Sequence, residues 1–224
     1  MLCIMAKLAQ NNTHAVMSQR SEPRTSLDNF PTPPWATRAL LEQILKYYPL
    51  FRQSCFEPAC GAGHMSKVLQ EYFSRVISSD VYPYGFGEKS DFLSSEARAE
   101  KTDWIITNPP FRQAEKFILK GLKEASCGVA VLTRTVFLES IGRYENLFNN
   151  KPPSIVAQFC ERVPMVKGRL DAKATTATGY SWIIWETKEQ KSTTQLKWIK
   201  PCRKSLEREG DYVENYSSQV IELE

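Results

Sequence analysis

A short apolar run at residues 55–58 breaks into the turn Ala59-Cys60-Gly61-Ala62-Gly63. It continues at once into helical spacing at Met65, Val68, Leu69, Tyr72 and Phe73. A strand that passes through a glycine turn into a helix must be followed by a second strand if the helix is to bury its apolar face on a sheet. Residues 75–81 supply that strand, an alternating run that closes on Asp80. The pattern then repeats. Trp104, Ile105 and Ile106 read as a buried strand, and Phe117, Ile118, Leu122 and Ala125 as a helix. Residues 127–132 read as a fully buried strand, and Phe137, Leu138, Ile141, Tyr144, Leu147 and Phe148 as a further helix. Pro152 and Pro153 stop that helix, residues 154–160 form another strand, and residues 180–185 form a last, aromatic-rich one. Ahead of them all, Leu40, Leu41, Ile44, Leu45 and Tyr48 fall at helical spacing. Strands alternating with helices predict an α/β fold around a mainly parallel sheet.

The 224 residues suffice for one domain with a sizeable core, without disulfides or metals as staples. No apolar run approaches the roughly 18 residues of a membrane span. A composition of 42% hydrophobic and 24% charged residues excludes collagen-like, coiled-coil and largely disordered chains. Six cysteines include no C-x-x-C pair, and the two histidines are His14 and His64, so no structural metal site is expected. Cysteines in strand-like runs read as reduced core thiols. Together with the lack of a secretory signal, they point to the cytoplasm. Residues 1–29 lack periodicity and are expected to be a disordered tail, with Met17 as an alternative natural start. The domain is expected over residues 30–190, and residues 191–224 as a basic extension packed on it.

Two segments carry chemistry. The turn after residue 58 allows close approach of a ligand to the backbone at Gly61 and Gly63. Ser66 stands where a dinucleotide fingerprint needs a third glycine, so pyrophosphate binding is disfavoured. Asp80, 19 residues after Gly61, is placed to accept hydrogen bonds from ribose hydroxyls, so the ligand reads as a nucleoside. The second segment is the strand that ends in Asn108-Pro109-Pro110-Phe111. Ligands of open α/β sheets bind at the carboxyl ends of strands. The Asn108 side-chain carbonyl and the Pro109 backbone carbonyl can accept both hydrogens of a planar exocyclic amine. That draws the nitrogen lone pair out of ring conjugation, with no strong base required. Phe111 offers a face on which an extruded base stacks.

These residues resemble the amino-methyltransferase branch of S-adenosylmethionine-dependent methyltransferases, in particular DNA adenine-N6 methyltransferases of phage and prophage type. The resemblance covers residues 28–208. It includes the Phe/Tyr-x-Thr-Pro element at Phe30-Pro31-Thr32-Pro33, the acid-x-x-x-Gly-x-Gly motif from Glu57 through Gly63, and the acid with its apolar neighbour at Asp80 and Val81. It extends to the acidic–aromatic pair Asp91 and Phe92 and to the tetrapeptide from Asn108 to Phe111. It implies a Rossmann-like seven-stranded class I methyltransferase sheet, mainly parallel, with an antiparallel strand near one edge. It also implies that Thr32 holds the amino-acid end of S-adenosylmethionine, that Asp80 and Val81 flank its nucleoside, and that Asp91 and Phe92 take its adenine. Cys60 would line the same site, S-adenosylhomocysteine would be the product, and no metal would be involved.

The acceptor implied is adenine N6 in DNA. RNA adenine, a protein glutamine amide and a binding protein without turnover remain open alternatives. Arg162, Lys167, Arg169 and Lys173, against Asp171, form a basic loop, and Arg134 follows a buried strand. Phosphate contact is expected of these five. Lys197, Lys200, Arg203, Lys204 and Arg208 form a second cluster, read as a tail helix or strap packed by Trp198 and Leu206. No separate target-recognition domain is visible, so sequence selectivity is low, carried by loops or supplied by a partner protein. The oligomeric state is open.

Overall fold

The computed structural model describes residues 28–94, 101–188 and 192–212. The segment up to residue 27, with His14 and the alternative start at Met17, lies outside the described residues. Eight strands are present among them: β1 (Ser54–Glu57), β2 (Arg75–Asp80), β3 (Glu88–Lys89), β4 (Thr102–Thr107), β5 (Ala125–Arg134), β6 (Ile155–Phe159), β7 (Tyr180–Glu186) and β8 (Gln195–Ile199). The helices are α1 (Pro34–Ala39), α2 (His64–Leu69), α3 (Ala114–Glu124), α4 (Ile141–Arg143) and α5 (Arg203–Leu206). One sheet runs in the order β3-β2-β1-β4-β5-β7-β6-β8. All its pairings are parallel except the two made by β7, which lies antiparallel to both β5 and β6.

The central strands are apolar on both faces because helices cover both. Trp104, Ile106, Leu132, Trp182 and Ile184 join one buried cluster, with Trp35 and Leu40 from the first helical segment and Met65 and Leu69 from α2. Their alternate neighbours Ile105, Val129, Val131, Ile183 and Trp185 join the opposite cluster, with Phe117 and Ile118 of α3. This two-sided burial is why these strands read as continuous apolar runs rather than as alternating ones.

The chain runs from β1 outward to β2 and β3, then returns to the other side of β1 as β4. The strand order reverses between β1 and β4, and the carboxyl ends of these two strands open a crevice there. Glu57 and the glycine turn follow β1, Asp80 ends β2, and Asn108 follows β4.

The structure departs from the sequence reading at several points, among them Ala125, which opens β5 rather than closing the helix of Phe117 and Ile118. The sheet has eight strands rather than seven. Six of the eight have residues in the sequence reading; the other two are β3, a two-residue exposed edge that periodicity cannot register, and β8. The helix expected across Phe137 and Phe148 is broken into a 3-10 turn (Thr135–Leu138), α4 and a π-turn (Tyr144–Phe148). Glu139 and Ser140 are extended, and the Ser140 hydroxyl accepts from Arg143 N at 3.4 Å, so a new helix start interrupts the old one. Ile141 and Tyr144, counted toward an apolar face, are exposed. Lys197 and Trp198 lie on β8, not on a helix or strap, and Trp198 is 62% exposed rather than packed. Only Leu206 of that pair packs against the core.

The segment leading into the crevice is fastened from several sides. Trp182 Nε1 donates to the Ala36 carbonyl at 3.0 Å, and Trp35 meets Phe159 edge-on at 5.7 Å. Arg38, 3% exposed, donates to both oxygens of Glu71, to both oxygens of Asp211 and to the Leu206 carbonyl. Asp211 is nearly as buried as its partner. Removing one member of a buried pair leaves the others uncompensated, at a cost of about 3–5 kcal/mol. Arg38→Ala is therefore expected to lower unfolding stability by an amount of that order in chemical denaturation, and to open the peptide bonds near Leu206 to protease. A loss within the range of ordinary surface substitutions would show that this cluster holds nothing in place.

Candidate active site

The turn after β1 folds as the glycines require. Gly61 and Gly63 have φ of 52° and 81°, a region that residues with a Cβ rarely enter. Space is equally restrictive at the second position. A Cβ on Gly63 would come within 2.4 Å of the Phe86 ring, which covers the turn. Asp80 fastens the turn from the next strand: one carboxylate oxygen accepts from Gly61 N at 2.9 Å and the other from Tyr82 N at 3.0 Å. A carboxylate has about four acceptor positions. Capacity therefore remains for hydroxyl donors from the cavity, which Asp80 lines.

That cavity has a volume of about 720 Å³, within the range of small-molecule sites. Its walls bring together Thr32, Glu57, Cys60, Gly61, Asp80, Val81, Asp91, Phe92, Asn108 and Pro110. Val81 is half exposed, whereas Phe92 is buried between Phe56 and Phe117, with ring centroids 5.7 and 5.0 Å away. The exposed Asp91 carboxylate accepts from Leu93 N at 2.8 Å. The donor set fits a nucleoside joined to an amino acid: a backbone cradle, carboxylates for hydroxyls and amines, and apolar faces for a flat ring. Among the described residues, no three His, Cys, Asp or Glu side chains converge as metal ligands. Likewise, no described helix is long and apolar enough to cross a membrane.

Glu57 lies beneath the turn, 2% exposed. It accepts from the Ser66 hydroxyl, which also lies 2.6 Å from the Ser78 hydroxyl. Burial pushes its carboxyl up to about 8, with a further upward contribution from Asp80, against the lowering effect of Ser66. Burial beside the same two acids lifts the Cys60 thiol to about 12, so it lines the cavity as a neutral group. His64 opens α2 and lines the cavity. Burial and Lys67 lower its pKa to about 4, which leaves it a neutral imidazole across the physiological range.

At the end of β4 the Asn108 side chain is held in one orientation. Its Nδ2 donates to the Phe30 carbonyl at 2.9 Å and to Thr32 Oγ1 at 3.1 Å, with Met165 Sδ at 3.7 Å. A backbone carbonyl can only accept, so the amide nitrogen must face Phe30, and Oδ1 is turned away from it. No described residue donates to Oδ1. Pro109 is buried, and its carbonyl accepts no backbone hydrogen bond among the described residues, whereas the Pro110 carbonyl is engaged by Gln113 N at 2.9 Å. Two adjacent acceptors are thus left open, and the proline ring fixes one of them. Phe111 N donates to Asp28 at 3.2 Å. Its ring meets Phe30 at 5.3 Å and carries the Arg134 guanidinium at 4.2 Å.

Of the five expected phosphate contacts, Arg134 lies over the Phe111 ring. Arg162 is exposed, with its guanidinium 3.3 Å from the Cβ position at Gly179. Lys167 is half-buried. Arg169 is exposed and pairs with Asp171 at 3.3 Å, while Lys173 is exposed. Their loop touches Asn108 through Met165, and Gly168 N donates to the Asn29 carbonyl at 2.9 Å. Asp28, Asn29 and Tyr84 were not singled out from sequence. The first two precede the recognised element without any pattern of their own. Tyr84 follows β2 in a glycine-punctuated loop whose path the sequence does not reveal.

No family model matches the chain, and no curated protein matches it in sequence. Solved structures do match in fold. A protein from Listeria monocytogenes assigned as a class I S-adenosylmethionine-dependent methyltransferase aligns with 78% of this chain and 67% of its own, at 13% identity and a TM-score of 0.55. A protein from Pyrococcus horikoshii assigned as an RNA methyltransferase aligns over 74% and 90%, at 15% identity and a TM-score of 0.56. A protein from Vibrio vulnificus assigned as the modification subunit of a type I restriction enzyme aligns over 76% of this chain at 13% identity and a TM-score of 0.55. This chain spans 47% of that subunit. The fold is the Rossmann-like sheet of class I methyltransferases.

Glu57 makes stability depend on pH. A carboxyl whose folded pKa lies above its ordinary value of 4.5 keeps its proton longer when folded than when unfolded. Its contribution is fully present at low pH and is lost as pH rises from about 4.5 to about 8. Glu57→Gln removes that titration. In thermal unfolding from pH 5 to pH 8.5, the wild-type melting temperature is expected to fall relative to the variant's. Parallel curves would contradict a protonated Glu57.

Proposed function

We propose that this chain transfers a methyl group from S-adenosylmethionine to the exocyclic N6 amine of adenine in DNA. The observation that carries the proposal is the fixed Asn108 amide. Its nitrogen is held by Phe30 and Thr32, which leaves Oδ1 without a donor among the described residues, and the carbonyl of the next residue, Pro109, takes no backbone hydrogen bond there. Two such acceptors take the two hydrogens of a planar amine and favour the pyramidal nitrogen, whose lone pair is free to attack. When bound, S-adenosylmethionine supplies an electrophilic sulfonium methyl group. Orientation and electrostatic alignment provide most of the rate, with no covalent enzyme intermediate.

The cavity next to Asn108 is where the cofactor would be held. The Gly61 and Gly63 turn admits it closely, and Asp80 takes the ribose hydroxyls. Val81, Asp91 and Phe92 border the adenine, Cys60 lines the wall, and neutral Glu57 supports the turn from below. Thr32 accepts from Asn108 and keeps its own hydroxyl proton to offer the amino-acid end. Pro110 and Phe111 complete the acceptor side. The choice of DNA rests on the motif order from Phe30 to Phe111 and on the basic loop at Arg162, Lys167, Arg169 and Lys173. With no separate recognition domain, sequence choice falls to such loops or to a partner protein.

Two substitutions separate the roles. Asn108→Ala should lower kcat by about 100-fold or more, the scale of removing one preorganised polar group, while cofactor affinity is largely kept. Asp80→Ala should weaken cofactor binding about tenfold or more, as expected for loss of a charged hydrogen-bond acceptor. Calorimetric titration with S-adenosylmethionine beside a turnover assay reads both. Near-normal turnover in Asn108→Ala would exclude this mechanism.

A further inference from the structure

Arg134 ends β5, the strand next to β4, which Asn108 follows. Its guanidinium carbon lies 4.2 Å from the Phe111 ring centroid, a stacking distance for a flat cation on an aromatic face. Phe30, the other ring neighbour, is 5.3 Å away and tilted by 42°. The two differ in what their movement would disturb. Moving Phe30 would disturb the carbonyl that orients Asn108. Arg134 is a long, half-buried side chain hydrogen-bonded to Tyr180, its partner across the β5–β7 ladder. Its Nε is buried with no hydrogen-bond partner among the described residues. A buried donor without an acceptor is a poor resting state, and a phosphate oxygen would satisfy it. Guanidinium is also the side-chain group closest in shape to a nucleobase, being planar and delocalised.

We propose that Arg134 is a placeholder for the target base: its guanidinium covers the Phe111 face in the free protein and turns to a backbone phosphate when an extruded base takes that face. The inference rests on the nucleic-acid reading above. It gives one side chain two opposing effects. Arg134 competes with any flat acceptor for Phe111, and it favours an acceptor that brings phosphates with it. A bare nucleoside meets only the competition, whereas a polynucleotide meets both. Arg134 thereby acts as a positioning residue that discriminates polymer from free adenine compounds.

The test compares wild type, Arg134→Ala and Arg134→Lys. Binding of 2′-deoxyadenosine and of a single-stranded oligodeoxynucleotide with one adenine is measured with S-adenosylhomocysteine present, and KM for each acceptor with S-adenosylmethionine. Arg134→Ala should bind the nucleoside about three- to fivefold more tightly, having lost a cation–π competitor. It should bind the oligonucleotide about tenfold more weakly, and its log Kd should rise less steeply with log salt, by about 0.7 for one phosphate contact. Arg134→Lys should keep the salt slope while also gaining nucleoside affinity, because an ammonium stacks poorly. Weakening of both acceptors, or no change in either, overturns the placeholder role. If Arg134→Ala fails to fold by thermal unfolding, Arg134→Lys alone decides through its nucleoside affinity. An active wild type without the crossover overturns only this inference. A wild type that binds cofactor but neither acceptor overturns the nucleic-acid reading with it.

Discussion

The site depends on one short contact between distant parts of the chain, the donation from Asn108 Nδ2 to the Phe30 carbonyl and to Thr32 Oγ1. Each hydrogen bond of this kind contributes only about 0.5–1.5 kcal/mol. Its importance is directional, because a carbonyl partner forbids the flipped amide. The contact holds only while residues 28–39 lie across the carboxyl edge of the sheet. That placement comes from the Trp182 bond to Ala36, the edge-on packing of Trp35 on Phe159, and the buried Arg38 cluster with Glu71 and Asp211. Core packing at one end of the segment thus sets the orientation of a functional amide at the other.

The two halves of the crevice differ in their electrostatics. On the β1 side, Glu57 is buried and protonated well above the ordinary carboxyl range, while Asp80 has each oxygen tied to a backbone N–H. On the β4 side, the acceptors are neutral carbonyls and the aromatic face bears a cation. His64 opens α2 on the β1 side, and its pKa, lowered to about 4, makes it a poor proton acceptor. This division suits a reaction in which alignment of a weak nucleophile matters more than proton removal.

Much of the fold was legible because burial on both faces writes itself as apolar runs. Trp104 to Ile106 and the run from Cys127 to Leu132 are strands for that reason, and the glycine turn is marked by residues that its backbone requires. Glu57, Gly61, Asp80, Asn108 and Pro110 line one crevice because strand order reverses between β1 and β4, a consequence of parallel topology. Other features depend on information that no local pattern holds. Ile141 and Tyr144 have helical spacing yet are exposed, and an N-cap at Ser140 decides the break. Strand β8 is defined by pairing with β6, and its Leu196 and Trp198 point away from the core, so their hydrophobicity misleads. The stacking of Arg134 on Phe111 joins residues 23 positions apart through neighbouring strands and leaves no trace in spacing.

The most direct test of the central claim is methyl transfer from labelled S-adenosylmethionine to unmethylated DNA, with RNA and protein extract in parallel, followed by digestion and mass identification of the product. The account predicts N6-methyladenine in the DNA arm. Label confined to RNA adenine or to a protein amide would keep the Asn108 chemistry and contradict DNA as the acceptor. No label in any arm, from a protein that binds the cofactor, would contradict the assignment of Asn108 and Pro109 to catalysis.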